Sequence, residues 1–266
     1  MSELSAPAKI NLALAVGPAG AGGKHEVTTV MQRVGLADRI ALEAAPALRV
    51  EGFEGDSLVT AALETLARAA GAEPCWAVRI EKEIPVAAGL GGGSSNAAAA
   101  LLLANATLDS PLPSERLHEL AASLGADVPF FLTEGPQLGE GDGSRLTPLE
   151  LPQQFTVLLV LEDGADKAST ASVYDAFDRR DGANGYQERR AQLLEALAAG
   201  DLAALPSNDL ASSPLADELR SFGAFRADVS GAGPAVYALF SDPEAASAAA
   251  ARMGACGRTW ILRPAW

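Results

Sequence analysis

Residues 8–16 (Ala-Lys-Ile-Asn-Leu-Ala-Leu-Ala-Val) alternate after Lys9, with Ile10, Leu12 and Leu14 on one side of an extended chain and Lys9, Asn11 and Ala13 on the other. That spacing predicts a strand presenting two polar groups together. Glycine-rich residues 17–23 predict a turn, and residues 27–34 and 39–43 predict two more strands in an antiparallel start. Residues 56–70 place Leu58, Ala62, Leu63 and Leu66 at helical spacing, and residues 77–82 read as a strand. Helices are predicted over 95–106 and 114–123, followed by an apolar stretch at 124–132 and a turn-rich stretch at 135–143. The Pro- and Gln-bearing segment 146–154 is the expected boundary between two domains, 1–152 and 153–266. Beyond it the pattern predicts strands at 155–161, 235–240 and 258–263 and helices at 171–177, 187–199, 217–221 and 243–253. Two α+β domains are the simplest architecture for that order.

Composition narrows the possible partners. A chain of 266 residues, 48% of them hydrophobic, has material for real cores. Twenty Lys and Arg against 34 Asp and Glu leave a formal charge of -14, which opposes approach to nucleic acid or to an anionic membrane. An anionic small-molecule substrate then needs cations and amides placed locally; the plainer reading of the acidity is solubility. Cys75 and Cys256 fit no metal-ligand spacing and read as buried or incidental thiols. With only His25 and His118, a histidine metal centre is disfavoured. No cationic leader and no apolar run of about 18–20 residues is present, so a cytoplasmic, soluble protein is expected.

Residues 85–96 (Pro-Val-Ala-Ala-Gly-Leu-Gly-Gly-Gly-Ser-Ser-Asn) bring in candidate chemistry. Gly89, Gly91, Gly92 and Gly93 disfavour regular structure and favour a bend whose amides approach a ligand. Ser94, Ser95 and Asn96 are expected to cap the helix that follows, whose dipole and free N–H groups suit an anion. A Walker loop needs a lysine after the glycines, and a dinucleotide fingerprint needs glycine where Ser94 stands, so neither matches. A tight strand-to-helix connection is the plain alternative. Lys9, and Asp127 within apolar sequence, are the acid-base candidates, against the plain readings of a solvated lysine and a cap before Val128 and Pro129. A phosphate cradle with a base and a cation is the equipment of phosphoryl transfer. Ser230-Gly231-Ala232-Gly233-Pro234 reads either as a turn or as a second backbone surface beside the phosphates.

In order along the chain, Pro7 to Leu12, Pro85 to Asn96 and Ser230 to Pro234 resemble the three motifs of the kinase superfamily of galactokinase, homoserine kinase, mevalonate kinase and phosphomevalonate kinase. Ala8-Lys9-Ile10-Asn11-Leu12, Gly23-Lys24-His25, Leu124-Gly125-Ala126-Asp127-Val128-Pro129 and Ser207-Asn208-Asp209-Leu210 are similar to its branch acting on a cytidine-diphosphate-linked methylerythritol. The resemblance implies a ribosomal protein S5 domain 2-like N-terminal domain and a ferredoxin-like C-terminal domain. It implies transfer from ATP, with Mg²⁺ whose ligands stay unassigned, to the 2-hydroxyl of that substrate. By position, Asp127 is the base and Lys9 its charged partner, while Pro85, Gly89, Leu90, Gly91, Gly92, Gly93, Ser94, Ser95 and Asn96 hold ATP. Asn11 meets the methylerythritol end, Gly231 and Gly233 offer substrate-facing backbone, and His25 reads cytosine with Tyr174 as aromatic partner. Lys24 replaces a family tyrosine that forms one wall for the base, which points to one aromatic and a cation there. Asp56-Ser57-Leu58 stands in place of an Asn-Leu pair near adenine. A homoserine- or mevalonate-type kinase and a non-catalytic nucleotide-binding module are the rival readings.

Overall fold

The computed structural model describes residues 1–20, 22–53, 57–165 and 169–266. In chain order the elements are β1 (Ser2–Ala19), β2 (His25–Ala44), β3 (Arg49–Glu51), α1 (Ser57–Ala70), β4 (Trp76–Glu81), α2 (Gly92–Asn105) and α3 (Ser114–Leu124). Then come β5 (Gln137–Gly141), β6 (Arg145–Pro148), β7 (Thr156–Glu162), α4 (Thr170–Arg179), α5 (Tyr186–Ala199) and α6 (Pro214–Ser221). The chain ends with β8 (Arg226–Val229), β9 (Val236–Phe240), α7 (Pro243–Met253), β10 (Gly257–Leu262) and β11 (Pro264–Ala265). Helix and sheet are mixed throughout, the α+β character that the hydrophobic pattern implies. Among the described residues no helix is long and apolar enough to cross a membrane.

Packing divides the chain into two compact units that alternate along the sequence. The first holds Met1–Ala8, Leu36–Pro85 and Gly91–Glu134. In it the second half of β2 pairs antiparallel with β4, Arg39 opposite Glu81 and Ala44 opposite Trp76, and β3 lies parallel to β4. Helix α1 packs on α2, burying Val59, Ala62, Leu63, Leu66 and Ala67. Helix α2 is buried from Ser95 to Leu101, which its run of alanines permits because small side chains allow neighbours to close in on every side.

The second unit holds Lys9–Gly35, Val86–Leu90 and Gly135–Trp266. The first half of β2 pairs with β1, with β5 from Val27 opposite Gly141 to Met31 opposite Gln137, and with β11 at Val34 opposite Pro264. A separate four-stranded antiparallel sheet runs β10-β7-β9-β8. Its core joins Leu158, Val160, Val236 and Phe240 to Leu219 of α6 and Met253 of α7. Its two central strands, β7 and β9, are buried over Thr156–Val160 and Val236–Phe240, so they read as nearly continuous hydrophobic runs.

Several expectations change. Segments 27–34 and 39–43 form one strand, β2. The stretch 135–143, expected as turns, contains β5: Gly139 is glycine because a methyl there would sit 2.9 Å from the Met31 Cε and 3.1 Å from the Thr29 Cγ2 on the paired strand. Strand β8 escapes periodicity because Arg226 and Asp228 interrupt it, yet both are buried. Cys75 and Cys256 are exposed rather than buried.

Candidate active site

In the second unit, Lys9 and Asn11 lie on the same side of β1, as alternation requires, and the buried Lys9 Nζ donates to Asn11 Oδ1 at 2.6 Å. Asn11 Nδ2 donates to Thr29 Oγ1 at 2.8 Å, and that hydroxyl donates to the Ala13 carbonyl at 2.8 Å, so the carboxamide cannot flip without breaking a bond. A buried ammonium held this way is a fixed positive charge in a low-dielectric setting. Against it lies the loop 230–234. Ser230 Oγ donates to the Gly89 carbonyl at 3.0 Å, and Lys9 N donates to the Leu90 carbonyl at 2.9 Å. Gly89 has φ 80°, and a methyl on it would stand 2.2 Å from the Ser230 carbonyl oxygen. Gly231, at φ 57°, lies so close that a methyl would be 3.2 Å from Asn11 Oδ1 and 3.6 Å from Lys9 Nζ. The structure thus brings Lys9, Asn11, Gly89, Leu90 and Gly231 together, with Gly233 bonded into the same turn through its N–H to the Ser230 carbonyl.

His25, at the start of β2, forms a second corner of this unit. Its Nδ1 lies 2.9 Å from the Gly17 carbonyl, so a neutral ring carries its proton on Nδ1 and offers Nε2 as an acceptor. Nε2 is 3.4 Å from Asp178 Oδ2. The ring stacks on Tyr174 at 4.9 Å between centroids and meets the edge of Phe177 at 5.7 Å. Tyr174 is therefore the aromatic partner of His25 itself, in direct contact, with no room for a third ring between the two. Lys24 turns to the β5–β6 turn, its Nζ 2.6 Å from Asp142 Oδ2. The Lys24 ammonium, with help from the Ser144 hydroxyl, holds the Asp142 carboxyl down at about 2.

In the first unit the glycine bend ends at Gly91, left-handed at φ 69°, which is the N-cap of α2. No side chain caps this helix; Ser94, Ser95 and Asn96 are inside its first turns, one residue type after another displaced from the capping role expected of them. Glycine at the cap leaves first-turn N–H groups to an outside acceptor. The buried Ser95 Oγ has no hydrogen-bond partner among the described residues. Beside this turn is a cation absent from the sequence reading: a methyl on Gly92 would lie 3.2 Å from Lys82 Nζ. Lys82 pairs with the buried Asp38, which also accepts from Glu83 N at 2.8 Å and Ile84 N at 2.9 Å. The sole signal for it was position, three residues before Pro85. Asp127 is half-buried in the turn before the short 3-10 segment Pro129–Leu132. The N-cap of that segment is Val128, which makes no side-chain bond. Asp56 lies outside the described residues, and among those residues no group of three or more His, Cys, Asp or Glu could hold a metal ion.

Two family models match, "GHMP kinases N terminal domain" over 57–135 and "GHMP kinases C terminal" over 188–259. The chain is 38% identical to the 4-diphosphocytidyl-2-C-methyl-D-erythritol kinase of Streptomyces avermitilis, covering 97% of this chain and 94% of that one. It is 39% identical to the enzyme of the same name from Geobacter sp. strain M21, over 94% of each. A solved structure of 4-(cytidine 5'-diphospho)-2C-methyl-D-erythritol kinase superposes over the whole of both chains with TM-score 0.81 at 33% identity. Homoserine kinase from Cytophaga hutchinsonii has the same fold, with TM-score 0.73 at 16% identity over 97% of this chain and 94% of that one. With both domain models matched in order and relatives aligned nearly end to end, the chain belongs to the GHMP kinase family.

Proposed function

We propose that this protein is an ATP-dependent kinase that phosphorylates the 2-hydroxyl of 4-diphosphocytidyl-2-C-methyl-D-erythritol, a step of non-mevalonate isoprenoid precursor synthesis. The observation that carries this reading is near end-to-end identity of 38% with kinases of that name, joined to a buried Lys9–Asn11 pair beside a glycine loop with little room for a methyl at Gly231. Homoserine- and mevalonate-type kinase structures share the fold at only 13–19% identity.

In the reaction, Asp127 takes the proton of the acceptor hydroxyl as its oxygen bonds the γ-phosphorus. The bond from that phosphorus to the β–γ bridging oxygen breaks, and ADP leaves. Lys9, fixed by Asn11, stabilises negative charge developing on the acceptor oxygen. Amides of the α2 first turn, from Gly91 to Ser94, receive the ATP phosphates, with Pro85, Gly89, Leu90 and Asn96 shaping the bend. Lys82 adds a fixed cation there, which a chain of net charge -14 needs locally. The unpartnered Ser95 Oγ fits Mg²⁺, which favours oxygen ligands shared with substrate phosphates over an all-protein cage. When bound, Mg²⁺ supplies neutralisation of phosphate charge.

At the other end, His25 Nε2 can accept from the exocyclic amine of cytosine, and the outer face of Tyr174 can stack on the base. Gly231 and Gly233 line the substrate on the Asn11 side. The boundary at 152/153 is proposed as the join of two family modules, since the matches at 57–135 and 188–259 fall on opposite sides of it. A cytoplasmic location without a nucleic-acid partner is proposed as well, supported by the acidic charge.

The test is a panel of this substrate, homoserine and mevalonate with ATP and Mg²⁺, followed by phosphorus NMR of the product. Turnover of the cytidine compound alone is expected, and preference for either other alcohol overturns the assignment. Asp127→Asn should lower turnover by at least about 10²-fold while ATP still binds. Undiminished turnover removes Asp127 from the mechanism.

A further inference from the structure

We propose that the adjacent residues Asn208 and Asp209 are positioning residues for two different parts of the site, Asn208 for the glycine loop beside Lys9 and Asp209 for the corner at His25. This rests on the kinase reading above. Each acts through the backbone groups it holds.

Asn208 is buried, and its carboxamide donates both hydrogens, to the Val229 carbonyl at 2.9 Å and the Gly231 carbonyl at 2.7 Å. Its Oδ1 accepts from Leu210 N at 2.8 Å, and its backbone N–H donates to Asp228 Oδ2 at 2.8 Å. A carboxamide with both donors committed fixes the two carbonyls it holds relative to each other. One of them belongs to Gly231, where an added methyl would stand 3.2 Å from Asn11 Oδ1 and 3.6 Å from Lys9 Nζ. Movement of this loop therefore changes the space beside the Asn11 carboxamide and the Lys9 ammonium that it holds.

Asp209 points the other way along β1. Its N–H donates to the Leu14 carbonyl at 3.0 Å, and its Oδ2 accepts from Val16 N at 2.7 Å and from Arg189 Nε at 2.8 Å. Arg189 in turn donates to the Gly182 carbonyl at 2.8 Å and the Asn184 carbonyl at 2.6 Å. This charge-assisted clamp joins Val16 to the segment following α4, the helix that carries Tyr174 and Phe177. Val16 immediately precedes Gly17, whose carbonyl orients His25. Leu210 completes the arrangement by packing in one cluster with Val16 and Phe177, with Tyr174 against it. A plain structural anchor would serve one place; here neighbouring residues diverge to two.

The consequence is a separation of kinetic effects. Asn208→Ala should lower kcat by about 10- to 100-fold with KM for the cytidine substrate within twofold, since misplacement by about 1 Å at the reacting end costs on that order. Asp209→Asn should raise that KM about tenfold with kcat within twofold, and Arg189→Lys should reproduce it. If Asn208→Ala does not fold, Asn208→Ser supplies the same comparison. Equal shifts of one parameter by both substitutions, or no shift, overturn the proposal. A readout independent of turnover is the NMR spectrum of the protein without substrate. Asn208→Ala should move the Gly231 amide and Asn11 side-chain signals and spare the His25 ring; Asp209→Asn should do the reverse. That pattern holds or fails even if the wild-type protein rejects the cytidine compound, which would overturn the functional reading alone.

Discussion

The loop beside Lys9 and the corner around His25 belong to the same unit and are built from different materials. The loop is fixed through its backbone groups: Gly89 and Gly231 are left-handed, and carbonyls of Gly89, Leu90 and Gly231 accept from Ser230 Oγ, Lys9 N and Asn208 Nδ2. The corner depends on side chains, with two rings in contact, a half-exposed Asp178 and a surface ion pair from Lys24. Backbone bonds at close quarters cannot be repacked cheaply, whereas ring contacts and exposed ion pairs can. On the function proposed above, reaction geometry resides in the rigid region and choice of substrate in the adaptable one.

Gly89→Ala should break the comparison most severely. The new methyl meets a carbonyl oxygen 2.2 Å away, and left-handed backbone alone costs about 1–2 kcal/mol for a residue with Cβ. At about 2–4 °C per kcal/mol for a chain of comparable size, a fall of several degrees in Tm is expected, with about 100-fold lower turnover. Unchanged Tm and turnover would show that the loop yields easily. Tyr174→Ala should act on the other region alone, raising KM for the cytidine substrate by about 5- to 150-fold, the value of one base–aromatic stack at about 1–3 kcal/mol. A kcat collapse instead would join the two regions functionally.

Lys24→Tyr sharpens the contrast further. Lys24 is committed to Asp142, so its loss should leave substrate KM unchanged or lower it by up to about tenfold as a second aromatic becomes available. A large rise in KM would give Lys24 a binding role of its own. The smallest effect belongs to Asp142→Asn. Because the carboxyl is lowered from 3.8 to about 2, its pairing stabilises the fold above the ordinary carboxylate range and is lost as pH falls through about 2. With Lys24 mostly exposed, the difference from wild type should be no more than about 1 kcal/mol at neutral pH and vanish in that acid window, as denaturant titrations at several pH values would record.

Much of this was legible in sequence wherever one local rule decides the outcome. A period of two suffices to put Lys9 and Asn11 on one side of β1, and an alanine-leucine run suffices for α2. The start of α2 was misread because serine and asparagine are strong caps in isolation, while here a left-handed glycine takes that position. The contact between His25 and Tyr174 and the close fit of Gly139 to β2 had no local trace. Each depends on segments distant in sequence, and glycine written for close packing looks the same as glycine written for a turn. Likewise Asn208 and Asp209 were visible as a motif, but their opposite orientations are a matter of which backbone groups surround them.

The pairing of Val34 with Pro264 has a consequence for synthesis of the protein. A ribosome adding about 5–20 residues per second needs on the order of ten to fifty seconds between making one partner and the other. Throughout that interval the backbone edge of β2 at Arg33 and Val34 lacks its eventual neighbour. Premature association with other emerging chains is then a hazard until residues 264–265 have been made.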